Sequence, residues 1–140
     1  MTRIDFYILD SDAPVERLKT ACRICEKAFL LGHEVHVHTG EPALSQRMDE
    51  LLWTFRDRSF VPHAVEPDDP TEWPVTIGHT MEPAPRAVLI NLASEVPSFF
   101  GRFERVAEVV DAQPQIKAAG RARYRFYRER GYPLQHHTLG

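Results

Sequence analysis

Apolar positions along this chain follow two alternating rhythms. Arg3 to Leu9 gathers Ile4, Phe6, Tyr7, Ile8 and Leu9 into a short dense run, as expected of a strand buried on both faces. Ser11, Asp12 and Pro14 then supply helix-starting residues. Leu18, Ala21, Cys22, Cys25, Ala28 and Phe29 recur at helical spacing until Gly32, which predicts a helix. Glu34 to His38 alternates through Val35 and Val37 and predicts a second strand after a short turn. Strand, helix, strand in this order is a βαβ unit with a right-handed crossover.

Glu41 to Phe55 carries Leu44, Met48, Leu51, Leu52 and Phe55 on one helical stripe, which Trp53 leaves. Strands are expected at Phe60–Val65, Val75–Gly78 and Ala87–Leu92, with a proline-rich acidic loop through Pro67, Pro70 and Pro74. Pro97 to Phe103 suggests a turn or two of helix. Arg105 to Val110 either continues that helix or forms a strand, and its β-branched Val106, Val109 and Val110 favour strand. A final helix should run from Pro114 to Arg130 with Gly131 as its cap, leaving the rest as a tail. The alternation predicts an α/β fold: a three-layer, Rossmann-like domain with a mostly parallel sheet.

The 140 residues are 43% hydrophobic and 26% charged, with a formal net charge of -3. These values suit one folded domain over 1–140 and exclude both a disordered chain and a strongly basic nucleic-acid binder. With no long apolar stretch and no signal-peptide pattern, a cytoplasmic location is expected.

Much of the chemistry common on such a fold is missing from the sequence. The turn after the first strand reads Asp10, Ser11, Asp12, Ala13, Pro14, without a glycine or a P-loop lysine, and its carboxylates would repel phosphate. Cys22 and Cys25, three apart within a helix, read as buried thiols rather than a redox pair. His36 and His38 share one face of a strand, but zinc catalysis needs a third protein ligand. His63, His79, His136 and His137 are scattered through expected loops and tail, so strand-edge or surface histidines are expected and no metal.

The terminal helix holds the sharper pattern. At about 100° per residue, Ala119, Ala122 and Phe126 gather on one side, the expected docking face. Lys117, Arg121, Tyr124 and Arg128 fall within about 60° on the opposite side, an expected exposed stripe of cations around an aromatic ring. Guanidinium forks there could pair carboxylates, with Arg123, Arg125 and Arg130 adding to the positive field. The plainer alternative is a solvated face whose charges complement the helix dipole. Trp53 and Phe60 are a second feature, either an exposed interface pair or core residues beneath the acidic loop.

Taken together, several segments resemble the chi subunit (HolC) family of the bacterial DNA polymerase III holoenzyme. They are Asp5–Leu9 (DFYIL), Met48–Trp53 (MDELLW), Ser59–His63 (SFVPH), Val88–Leu92 (VLINL), Phe99–Asp111 (FFGRFERVAEVVD) and Ala122–Tyr132. The resemblance covers nearly the whole chain. It implies a bacterial, non-catalytic adaptor in DNA replication, with a Rossmann-like domain and no cofactor. As partners it implies the acidic C-terminal tail of single-stranded DNA-binding protein and the psi subunit of the clamp-loader complex, or a helicase in place of psi. By similarity Lys117, Arg121 and Tyr124 match the tail-binding positions, with Arg128 added from helix geometry, and Trp53 and Phe60 match the psi or helicase surface. Two other functions are weighed against it. Direct binding of single-stranded nucleic acid is disfavoured by the acidic chain and the single aromatic on the stripe. A small nucleotide- or metal-dependent enzyme lacks its motifs.

Overall fold

A computed structural model describes residues 1–139. Seven strands form one sheet: β1 (Arg3–Leu9), β2 (Val35–His38), β3 (His63–Val65), β4 (Val75–Gly78), β5 (Val88–Asn91), β6 (Arg105–Val110) and β7 (Leu134–Leu139). Their order is β3-β4-β2-β5-β6-β1-β7, and every pairing is parallel. Helices α1 (Pro14–Leu30), α2 (Pro42–Thr54) and α3 (Pro114–Glu129) complete the architecture, each with a proline in its first turn. The expected three-layer α/β fold is the one observed.

The dense apolar strand runs are explained by a separate core on each face of the sheet. Leu18, Cys22 and Cys25 of α1 and Met48 and Leu52 of α2 cover Val35, Val37, Val75, Ile77, Ile90 and Val109 on one face. Tyr127 of α3 and Phe99, Phe100 and Phe103, around a 3-10 turn, cover Ile4, Phe6, Leu89 and Val106 on the other. Residues 105–110 are a central strand, because β6 lies between β5 and β1. Gly131 adopts φ +76°, and the amide of Tyr132 reaches back to the Tyr127 carbonyl, closing α3 as a glycine cap does.

Two expectations need correction. The segment after α3 is no loose tail, since residues 134–139 form β7 beside β1, with Ile4 opposite Leu134 and Leu9 opposite Leu139. The strand expected over Phe60–Val65 is limited to His63–Val65, leaving Phe60 in the loop before it. The histidines move accordingly. His36 is fully buried in an interior strand with its Nδ1 2.7 Å from the Thr76 hydroxyl, His63 is buried at the start of β3, and His136 and His137 lie in β7. His36 and His63 are therefore core residues rather than strand-edge or surface ones.

Candidate protein-binding surfaces

The seating of α3 is set by a buried polar cluster. Glu108 projects from β6 among apolar neighbours toward α3 and is fully buried. Its carboxylate accepts hydrogen bonds from Arg123 Nε at 2.9 Å, from the Tyr127 hydroxyl at 2.8 Å and from Asn91 Nδ2 at 3.0 Å. Burial pushes the Glu108 carboxyl up, and the Arg123 charge with these hydrogen bonds works against that rise. A second guanidinium donor, Arg123 Nη1, binds the Ser94 carbonyl at 3.0 Å. Gly120 sits where α3 crosses β6, and a Cβ there would lie 2.8 Å from a Val110 methyl.

The docking face of α3 is therefore Gly120, Arg123 and Tyr127, with Ile116 and Tyr124 packed alongside. Of the expected face, Phe126 does pack against the core, edge to face with Phe100 at 5.9 Å. Ala119, however, is only half-buried and Ala122 is exposed, so the centre of the docking face is turned by about 100° around the axis. The expected face rested on small apolar residues, whereas an arginine with its own carboxylate and a glycine allowing close approach turned inward. Arg123 accordingly adds little to the outward field. The sequence did carry a signal for this, a lone carboxylate within the apolar run of β6.

The turn of the helix leaves Lys117, Arg121 and Arg128 exposed along one flank. No carboxylate lies within ion-pair distance of them among the described residues. Tyr124 differs from its expectation. It is half-buried, with its ring edge-on to Phe6 at 5.3 Å between centroids, so only part of it faces the flank. Arg125 is exposed as well, and Arg130 lies over the Phe126 ring at 3.6 Å.

At the far side of the sheet, Trp53 near the end of α2 and Phe60 in the following loop are 46% and 69% exposed. Their ring centroids are 5.7 Å apart, and Trp53 rests on His63 at 4.3 Å. Both nitrogens of the His63 ring face backbone carbonyls, Val61 at 2.6 Å and Asp49 at 3.1 Å, so the platform under the indole is fixed. Arg56 and Ser59 both hydrogen-bond Glu26 of α1 and anchor the intervening loop. The core alternative for this pair is thus excluded, and the two aromatics form an exposed apolar patch.

The remaining sequence candidates are structural in character. Cys22 and Cys25 are free and buried in the interior of α1, and burial pushes the Cys22 thiol up to about 12 and the Cys25 thiol higher still. Among the described residues, no three His, Cys, Asp or Glu side chains are grouped closely enough to hold a metal. No helix among them is long and apolar enough to cross a membrane.

Comparison with known proteins assigns the family. The family model described as DNA polymerase III chi subunit, HolC, matches residues 1–135. The DNA polymerase III subunit chi of Pseudomonas aeruginosa is 46% identical over 140 residues, spanning 99% of this chain and 98% of the relative. Those of Escherichia coli and Haemophilus influenzae are 30% and 27% identical, each match spanning 96% of both chains. With strands, helices and matched segments continuous from residue 1 to 135, the chain belongs to the DNA polymerase III chi subunit family.

Proposed function

We propose that this chain is a non-catalytic accessory subunit of the replicative polymerase, and that the flank of α3 holds the acidic C-terminal tail of single-stranded DNA-binding protein. The observation that carries this reading is the row Lys117, Arg121 and Arg128, exposed and without a carboxylate partner among the described residues. Cations already committed to internal pairs would gain little from an incoming acid. These three have their donors available, and Tyr124, held against Phe6 and only half-buried, leaves part of its ring beside them for an apolar tail residue. Exposed ion pairs contribute only about 0.2–1 kcal/mol each, so several must act together and the affinity should be micromolar-like and salt-sensitive.

Calorimetry with a peptide of the last residues of single-stranded DNA-binding protein tests the assignment. Replacing Lys117 and Arg121 together by alanine should weaken binding about tenfold or more, and unchanged affinity would refute the site. A mobility shift with bare single-stranded DNA separates tail capture from direct nucleic-acid binding, which this reading expects to be negligible.

The Trp53–Phe60 patch is proposed as the second docking point, for psi or a helicase in its place. Large rings on a rigid platform provide the kind of anchor that dominates an interface. Trp53→Ala should cost about 2 kcal/mol or more in partner affinity.

A further inference from the structure

On the face of the sheet that α1 and α2 share, one strip is left bare. Helix α1 packs over β6, β5 and β2, and α2 over β4 and β3, but no helix among the described residues lies above β1 and the edge strand β7 on this side. An open groove of about 660 Å³ therefore runs along the flank of α1. Its floor is Tyr7 and Leu9 of β1 with Ala107 of β6. Tyr7 belongs to an interior strand yet is only half-buried, its ring stacked on His137 at 4.8 Å. The wall is Thr20, Ile24, Lys27 and Leu31, a second helical stripe on α1 to one side of its core residues Leu18, Cys22 and Cys25. Leu31, 67% exposed, and Leu139, 38% exposed, leave apolar surface uncovered at the two ends.

The dimensions of the strip are those of a helix. Two strands about 4.8 Å apart make it about 10 Å wide, the diameter of an α-helix with its side chains. Along the seven residues of β1, at about 3.3 Å each, it is about 23 Å long, which a helix of about 15 residues spans. The charge is one-sided. The chain as a whole is acidic, yet Arg3, Arg23, Lys27 and Arg105 all stand exposed around this groove. Arg3 and Arg105 are opposite one another in the pairing of β1 with β6 and share one buried carboxylate, Asp5, through their Nε atoms at 3.5 and 3.6 Å. His137 Nε2 also reaches Asp5, at 3.3 Å. One acid thus serves two guanidinium groups, and Arg23 and Lys27 have no carboxylate partner among the described residues. The acids on the rim are Glu104, next to Arg105 in the chain, and Glu16 in the first turn of α1, at the other end.

We propose that this groove is the docking site for an acidic amphipathic helix of a protein partner, lying alongside α1 with its apolar face on Tyr7, Ile24 and Leu31 and its carboxylates toward Arg3, Arg23, Lys27 and Arg105. Such a helix completes the layer that α1 and α2 begin. A groove open along its length, with exposed leucines at both ends, suits a ligand longer than a compact small molecule, and the cations around it select an acidic helix over a basic one. The groove is on the other face of the sheet from Lys117, Arg121 and Arg128 and at the opposite sheet edge from Trp53 and Phe60, so it does not rest on the function proposed for either.

The test is an amide-resolved NMR titration of the full chain with a synthetic helix of about 15 residues, leucines along one face and glutamates on its flanks. The same helix with lysines for glutamates, and decanoate, are titrated in parallel. Saturable shifts at Tyr7, Ile24 and Ala107 are expected with the acidic helix and not with the basic one. Arg23 and Lys27 are exposed on α1, so the Arg23→Glu, Lys27→Glu double variant leaves the core untouched. It should weaken the acidic helix about tenfold and let the basic helix bind. Absence of localised shifts, equal shifts with the basic helix, shifts confined to the α3 flank or to the Trp53–Phe60 patch, or an unaffected double variant would each overturn the proposal. So would shifts with decanoate but not with the acidic helix, which would mark a small-molecule cavity, or shifts that grow with protein concentration without any peptide, which would mark a contact between two copies.

Discussion

Replacing Glu108 by leucine would strand the Arg123 guanidinium between the sheet and α3 without its counter-charge. Removing one member of a buried ion pair costs about 3–5 kcal/mol, far more than the pair contributes over apolar substitutes. Urea unfolding should therefore show Glu108→Leu destabilised by about that amount. The Glu108→Leu, Arg123→Met double variant should recover most of it, and a double variant as unstable as the single would contradict this account. A residue-scale pH dependence is also expected. Burial first, then the charges of His38 and Arg86, holds the His36 ring down to about 3 from an ordinary 6.5. The unfolded chain then binds the extra proton first, so this contribution is complete above pH 6.5 and is lost as pH falls toward 3. Glu66 acts in the same direction: despite burial, hydrogen bonds from Thr80, Met81 and His79 bring it from 4.5 down to about 2. His36→Gln should flatten the acid side of the stability profile by up to about 1.4 kcal/mol per pH unit. Parallel profiles for the two proteins would refute the role of His36.

Helix α3 shows what a close approach to a sheet demands. A methyl added at Gly120 meets a short, stiff valine side chain on β6, which cannot swing aside. Gly120→Ala gains about 0.5–1 kcal/mol of helix propensity but overpacks the interface by about 1–3 kcal/mol. A net loss of about 1–2 kcal/mol is expected in chemical denaturation, and a stabilised variant would show that the helix can shift. The elements with a strong apolar period, β1, α1, β2, α2, β5 and β6, were all legible in the sequence. Strand β7 was not, because an edge strand partly open to solvent carries polar residues on both faces, and Gln135, His136, His137 and Thr138 show no alternation. Within α3, hydrophobicity misplaced the docking face because Arg123 is buried by a partner from another element, which a helical wheel does not contain. Lys117, Arg121 and Arg128 were still recognised as exposed, since their flank survives the rotation. The exposure of Trp53 was undecidable from pattern alone and was settled by the fixed His63 ring beneath it.

At the scale of the molecule, the docking surfaces proposed for the tail and for psi or a helicase lie on opposite faces of the sheet, one on α3 and the other at the end of α2. They pack on separate cores, so changes at one should be felt little at the other. Trp53→Ala is expected to leave tail-peptide affinity within about 0.5 kcal/mol of wild type in calorimetry, while the Lys117, Arg121 double variant retains its other partner. Reciprocal losses at both surfaces would point to a coupled device instead. The pairing of β7 with β1 also bears on how the molecule is made. On the ribosome, β1 emerges first yet must wait for both of its neighbours, β6 on one side and residues 134–139 on the other. Through most of synthesis it carries two open edges, a state that invites chaperone holding or aggregation. Nascent chains stalled before residue 134 should therefore be more susceptible to protease near Arg3–Leu9 than chains long enough to close the sheet.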